Sequence, residues 1–196
     1  MSRLLVAILF CSIQFNVYAE NKTAVFAGGC FWCMEKPFDK IDGVIRTTSG
    51  YTGGHTDNPT YKQTSTGKTG HYEALQVEYD AAKVQYEKLL EVFWKNIDPF
   101  DAGGQFCDKG PQYRAAIFTN NEKEIEQAKS SKVDLQNKLK GKAKIVTEIL
   151  PAKQFYAAEE YHQDYYIKNP VRYRYYRYGC GRDKRLEEVQ KLINEK

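Results

Sequence analysis

Two cysteines three apart, behind a glycine pair and around two large aromatics, are the residues of this chain best equipped for covalent chemistry: Gly28-Gly29-Cys30-Phe31-Trp32-Cys33-Met34-Glu35. Thr23 to Ala27 before them has the make-up of a short buried strand, and the apolar residues Trp32, Cys33, Phe38 and Ile41 after them fall at helical spacing. Cys30 is therefore expected where a strand hands over to a helix N-terminus. Free backbone N–H groups and the positive end of the helix dipole stabilise a thiolate there, which makes a nucleophile near neutral pH. The glycines are expected to let a substrate approach the backbone closely. The C-x-x-C spacing of Cys30 and Cys33 also allows thioredoxin-style dithiol chemistry. An inert cysteine among core aromatics is the competing reading.

A second reactive group comes from strand parity. In Glu73-Ala74-Leu75-Gln76-Val77-Glu78-Tyr79, alternation puts Leu75, Val77 and Tyr79 on one face and Glu73 at the edge of the same face. A carboxyl group on the core side of a strand has its pKa pushed upward unless a partner compensates, which is how a general acid is made. Cys107 and Asp108 lie in a glycine-rich polar loop, 98–111, and Cys180 sits between Gly179 and Gly181, where the backbone can let it swing toward another thiol. Cys107 and Cys180 are isolated singles, so the paired spacing of a structural zinc site is missing and no metal is expected.

These groups need a scaffold, and the chain of 196 residues, 42% hydrophobic, suffices for one well-cored domain. The start reads as a signal peptide, with a basic Met1-Ser2-Arg3, an apolar Leu4 to Phe15 and Val17-Tyr18-Ala19 at the positions a signal peptidase reads. Cleavage after Ala19 would leave residues 20–196 as the domain, exported and periplasmic, where disulfides persist. The apolar run of about a dozen residues falls short of the roughly 20 that a membrane span needs, so the mature chain is expected to have none. Loss of Arg3 with the leader takes the net charge from +4 to +3, too mild to call for a polyanionic partner.

Strands are expected at 23–27, 44–49, 73–79, 113–119 and 143–150, and helices after Cys30, at 86–97 and at 121–139. The helix at 86–97 carries Tyr86, Leu89, Leu90, Phe93, Trp94 and Ile97 on one face and stops before Pro99. The order β-α-β-β-α-β-α-β is that of an α+β, ferredoxin-like split βαβ two-layer sandwich with long loops. One loop, 50–70, is rich in Gly, Thr, Asn and Asp but holds Tyr51 and Tyr61, a composition that favours function. Residues 155–196 form an irregular Tyr/Arg-rich C-terminal extension that carries Cys180, with a short helix at 161–166 and a last one at 184–193. Its run of arginines and tyrosines, 172–182, could stack on single-stranded nucleic acid, but in an exported protein an amphipathic coat on the domain fits better, and no nucleic-acid partner is expected.

The motifs in order resemble one family, the peptide methionine sulfoxide reductases of the A type. They are Gly29-Cys30-Phe31-Trp32, Ser49-Gly50-Tyr51-Thr52-Gly53-Gly54, Asn58-Pro59-Thr60-Tyr61, Gly70-His71-Tyr72-Glu73-Ala74 and Asp108-Lys109-Gly110-Pro111-Gln112-Tyr113-Arg114, spread from about Thr23 to Arg182. The resemblance implies that Cys30 is the nucleophile, that Phe31 and Trp32 wall the site for the substrate's methyl group, and that Glu73 protonates or hydrogen-bonds the sulfoxide oxygen. It implies that Tyr61 and Tyr113 help hold that oxygen, that Asp108 is the active-site aspartate, and that the S epimer is preferred. Reduction of methionine sulfoxide, free or in oxidatively damaged exported proteins, would leave Cys30 a sulfenic acid, which condenses with a second thiol. Three cysteines could resolve it: Cys180, which resembles the family's mobile-tail cysteine and is the leading choice, Cys33, and Cys107. Many relatives have asparagine where Cys107 stands, glycine at Cys33 and serine at Ala115, so the regeneration route is where this chain departs from the pattern. No bound cofactor is implied, only an external dithiol reductant, thioredoxin or thioredoxin-like, and a monomer is expected. A thioredoxin-like disulfide oxidoreductase using Cys30 and Cys33 has no need of Glu73, Tyr61 and Asp108. An exported binding module with static disulfides is the non-enzymatic alternative.

Overall fold

The computed structural model describes residues 21–195, so the expected signal peptide and its cleavage after Ala19 lie outside the described residues. The principal elements are β1 (Asn21–Gly28), α1 (Phe31–Asp39), β2 (Val44–Thr52), α2 (Tyr61–Thr64), β3 (Tyr72–Asp80) and α3 (Tyr86–Lys95). After them come a small hairpin, β4 (Gly104–Gln105) and β5 (Asp108–Lys109), then β6 (Ala115–Thr119), α4 (Glu122–Lys138), β7 (Glu148–Pro151) and β8 (Tyr156–Ala157). The chain ends in α5 (Tyr165–Lys168), α6 (Pro170–Gly179) and α7 (Arg182–Asn194). No helix among the described residues is long and apolar enough to cross a membrane.

The main sheet has the order β7-β6-β1-β3-β2-β8. Its inner four strands are mutually antiparallel, with β3 inserted between β1 and β2, which is the split βαβ arrangement expected. Alternation explains the two faces. Ala24 and Phe26 of β1 stand opposite Val77 and Leu75 of β3 and join the core under α1 and α3, while Val25 and Ala27 face the other way with Ala74, Ala116 and Phe118. Phe26 stacks on both Phe38 and Phe93 at 5.3 Å, tying the sheet to both helices, and burying such a ring contributes about 2 kcal/mol. Helix α4 starts at Asn121, whose side chain accepts from the Glu124 N–H at 3.0 Å, and packs Ala128 and Leu135 into the same core.

Four regions differ from the sequence expectation, the first being the strand expected over 143–150, which starts only at Glu148 because Gln136 of α4 takes up the Ala143 carbonyl and the Ile145 N–H. The strand expected over 113–119 starts only at Ala115, because Pro111 opens a 3-10 turn over Pro111–Tyr113. The loop 50–70 gives up its first residues to β2 and contains α2, held by a reciprocal cap between Thr60 and Gln63. The C-terminal extension is mostly helical rather than irregular, and α7 sends Val189 and Ile193 into the main core.

That extension is fastened at two points, the middle of α1 and the end of β1. The buried Glu35 carboxylate accepts from Ser49 Oγ (3.0 Å) and from the backbone N–H groups of Asp164 (3.1 Å) and Tyr165 (3.2 Å), while Gln163 bonds both backbone groups of Ser49 at 2.9 Å. At the second point the buried Arg182 donates to the carbonyls of Gly28 (3.0 Å) and Asn96 (2.7 Å), and its guanidinium covers the Phe106 ring at 4.3 Å. Between these anchors the tail passes over the start of α1.

Candidate active site

Cys30 is the N-cap of α1, directly after Gly29, whose φ of +79° makes the turn out of β1. A side chain at Gly29 would meet Gln105 Cβ at 2.6 Å and one at Gly28 would meet Met34 Sδ at 2.6 Å. The space beside both glycines is filled by protein, so they serve the turn, not the approach of a substrate as expected. Cys30 is 7% exposed and Cys33, one helical turn on, 1%, and both are free thiols.

Glu73 comes from β3 on the core side, as parity requires, and is 2% exposed. Its Oε2 accepts the Phe31 N–H at 3.2 Å. Burial pushes its pKa up to about 8, against the pull of that bond, so Glu73 holds its proton at neutral pH. The N–H of the first helical turn expected to favour a Cys30 thiolate is thus given to Glu73. Burial, reinforced by Cys33 and the Glu73 and Asp108 carboxyls, drives the Cys30 thiol well above the ordinary cysteine value. Cys33 is drawn down to about 6 by the hydrogen bond from Cys30, with Arg182 and Arg177 helping. The helix-start expectation for Cys30 therefore fails on two counts, desolvation and a competing acceptor.

Tyr61 enters from α2 and Tyr113 from the 3-10 turn, near enough for each phenol to influence the other. Burial and then the nearby Glu73 raise both phenols, Tyr61 to about 12, which keeps them as neutral donors. Asp108 follows the tip of the β4–β5 hairpin, where it accepts the Tyr176 hydroxyl at 2.5 Å. Burial raises its pKa too. Burial and then the nearby Cys30 thiol raise the Tyr176 phenol. The structure thus gathers Cys30, Cys33, Glu73, Tyr61, Tyr113 and Asp108 about one buried point.

Phe31 and Trp32 form an apolar wall that the chain itself covers in part, Trp32 staying half-buried. Phe31 packs on Tyr51 and His162, with ring centres 6.0 and 5.0 Å apart. Trp32 stacks face to face on Tyr165 at 3.7 Å, meets the edge of Tyr176, and donates its Nε1–H to His162 Nδ1 at 3.0 Å. That bond places the neutral His162 ring's proton on Nε2, which is buried without a hydrogen-bond partner. Glu159 accepts from the Tyr51 hydroxyl (2.9 Å) and the Tyr61 N–H (2.8 Å), which steadies α2.

His162, Glu159, Tyr165, Tyr176 and Arg182 were missed by sequence reasoning. They arrive from the tail, up to 154 residues from the Cys30 motif, and no periodicity links the two stretches. Of the three resolving candidates, Cys33 lies against Cys30, whereas Cys180 is bonded to Cys107 across a sequence separation of 73. Those two sulfurs and Asp108 lie within 4.8 Å of one another, but sulfurs joined in a disulfide are not metal ligands.

Against known proteins, the family model described as peptide methionine sulfoxide reductase matches residues 22–193. The chain is 52% identical to the peptide methionine sulfoxide reductase MsrA of Bacillus licheniformis over 169 residues, 86% of this chain and 93% of that one. It is 55% identical to the protein of the same description from Bacillus subtilis over 163 residues, 83% of this chain and 92% of that one. Among solved structures, Mxr1 from Saccharomyces cerevisiae in reduced form superposes with a TM-score of 0.72 at 34% identity, covering 82% of this chain and 92% of that one. Mxr1 in complex with Trx2 gives 0.53 at 25% identity, covering 79% and 91%.

Proposed function

The chain belongs to the peptide methionine sulfoxide reductase family, and from that premise we propose how its own residues carry out the thiol-dependent reduction of methionine sulfoxide to methionine. The observation that carries the proposal is the pairing of Cys30 with a protonated Glu73, held by the N–H of the very next residue. The sulfoxide needs a nucleophile at sulfur and a proton at oxygen at the same time, and these two groups supply them from one wall of one site.

In the proposed sequence the substrate's methyl group lies against Phe31 and Trp32, and its oxygen accepts from Tyr61, Tyr113 and Glu73. Cys30 sulfur forms a bond to the substrate sulfur as Glu73 gives its proton to the oxygen, and the proton of the Cys30 thiol replaces it on Glu73. Transfer of the hydroxyl to Cys30 releases methionine, two electrons having passed from the thiol to the sulfoxide. A second thiol then attacks the sulfenic sulfur, its proton leaves with the hydroxyl as water, and a disulfide remains. Cys33 is in contact with Cys30 for that step, and Cys180 reaches it only after release from Cys107.

The enzyme acts on the S epimer, free or within proteins, and is recharged by a thioredoxin-like dithiol. The solved pairing of the related Mxr1 with Trx2 supports the choice of reductant. On export the leader 1–19 is removed, and the mature monomer works in the periplasm on oxidised exported proteins. The discriminating assay supplies the two separated epimers with a dithiol reductant: turnover of the S form is expected, and turnover of neither sinks the proposal. N-terminal sequencing of the secreted protein checks the leader, with Glu20 expected first.

A further inference from the structure

Glu35 is buried and ionisable, and sulfoxide reduction makes no direct use of it. It lies on α1 three residues after Trp32, so the two side chains leave the same face of the helix. The tail comes to them at Asp164, whose φ of +53° and ψ of +34° put a non-glycine residue in the left-handed region. That turn aims two successive N–H groups, of Asp164 and Tyr165, at the one carboxylate (3.1 and 3.2 Å). We propose that Glu35 is a positioning residue for sulfoxide binding: its carboxylate is the anion this turn is folded around, and the turn holds Tyr165 against Trp32. The proposal rests on the reductase reading, in which Trp32 walls the substrate's methyl group, and adds what keeps that wall in place.

Three features carry it. First, the contacts form a closed ring: Glu35 to the Tyr165 N–H, the Tyr165 ring flat on Trp32 at 3.7 Å with 4° between planes, and Trp32 back to Glu35 along α1. The bond from Trp32 to His162 Nδ1 reaches the same segment, which Gln163 ties to Ser49. Second, a left-handed turn with consecutive N–H groups pointing inward is an anion-binding concavity, and a residue with a Cβ adopts it at a cost that something must offset. The carboxylate offsets it with charge-assisted bonds, and Ser49 Oγ supplies a third donor at 3.0 Å. Third, both backbone partners can only donate, so the ionised carboxylate fits them and a proton on it takes an acceptor site away.

The groups that face Glu35 set when this arrangement fails. Asp39 follows one turn along α1, where its own carboxylate takes the Thr47 and Tyr166 hydroxyls; Asp164 adds a like charge and Lys168 an opposite one. Burial outweighs the three hydrogen bonds and, with Asp164 adding to it, brings the Glu35 carboxyl up to about 7. As pH falls through that value Glu35 takes a proton, the turn loses its anion and Tyr165 its anchor. His162, which bonds Trp32, is pushed by burial below the ordinary histidine value, so it stays neutral through the same step. The consequence is weaker substrate binding below about pH 7, opposite in direction to the loss of the Glu73 proton above about pH 8.

The test uses the full chain with Trp94→Phe, which leaves Trp32 as its single tryptophan. In a titration without substrate, Trp32 emission is expected to shift to longer wavelength and lose anisotropy as pH falls, with a midpoint at about 7, and Glu35→Gln is expected to remove that midpoint. A flat titration of the parent, or a midpoint that survives Glu35→Gln, overturns the proposal. Ser49→Ala takes one donor from the carboxylate and should move the midpoint upward; an unmoved midpoint also overturns it. With free methionine sulfoxide above pH 7, Glu35→Gln should raise KM about tenfold, the scale of one hydrogen bond to a charged group, while kcat stays within about twofold. A fall in kcat at unchanged KM counts against positioning and overturns it. Methionine formed in one turnover at saturating sulfoxide reads the reductase proposal by itself, and the emission titration holds no substrate, so the two failures are told apart.

Discussion

Cys30 and Cys33 are neighbours along one helix, buried, and remain thiols; Cys107 and Cys180 are 73 residues apart, meet at the surface, and are bonded. Closeness in sequence thus marks the buried pair to which we assign the chemistry, and distance marks the pair at the surface. Burial suits the first task, because a dry pocket raises Glu73 into the protonated form that sulfoxide reduction needs. It defeats the second, since a buried disulfide is closed to a protein reductant. One thiol pair cannot be both hidden from water and open to a partner.

The sharpest way to break the division is Cys30→Ser. Single-turnover methionine formation should fall by about four orders of magnitude, the scale of losing a covalent nucleophile, and survival of the rate would move the chemistry to another cysteine. Next in size is Glu73→Gln, which should slow the same step about a hundredfold, as loss of a general acid does. Because the Glu73 carboxyl must be protonated and is pushed up to about 8, the parent's sulfoxide-reduction rate should decline as pH rises through that value. The Gln variant should lose that break in a stopped-flow pH series.

Cys180→Ser probes the outer pair. Removing a bridge that closes a loop this long should cost about 4 kcal/mol in a denaturant titration without reductant, and the deficit should vanish when both proteins are titrated in dithiothreitol. A deficit of equal size in dithiothreitol would assign the loss to packing at Cys180. The smallest expected effect is at the lid over the inner pair: Tyr165→Leu removes the ring stacked on Trp32 and should cost about 1 kcal/mol, with Cys33 becoming faster to alkylate. No change in alkylation rate would mean that the tail does not shield the inner thiols.

Much of the scaffold was legible because its signals are local. Alternation in 73–79 placed Glu73 on the core face before any tertiary contact was known, and helical spacing over 86–97 located the helix that packs on Phe26. The hairpin around Cys107 was not legible, because two-residue strands have no periodicity, and the start of β6 was shifted by Pro111. The state of Cys30 was misjudged for a related reason. A helix N-terminus can be read from sequence, but which acceptor takes its N–H depends on a strand 42 residues away.

The sequence by itself determined the reactive residue types, the antiparallel core that carries them and, through five motifs, the family; each depends on patterns within a few residues. Tertiary structure alone decided that His162, Tyr165 and Tyr176 cover the Cys30 wall, that Arg182 is buried beneath it, and that Cys180 pairs with Cys107. The physical reason is that these contacts depend on where the helical tail crosses the sheet. That path is set by two distant anchors, Glu35 at one end and the Gly28 and Asn96 carbonyls at the other.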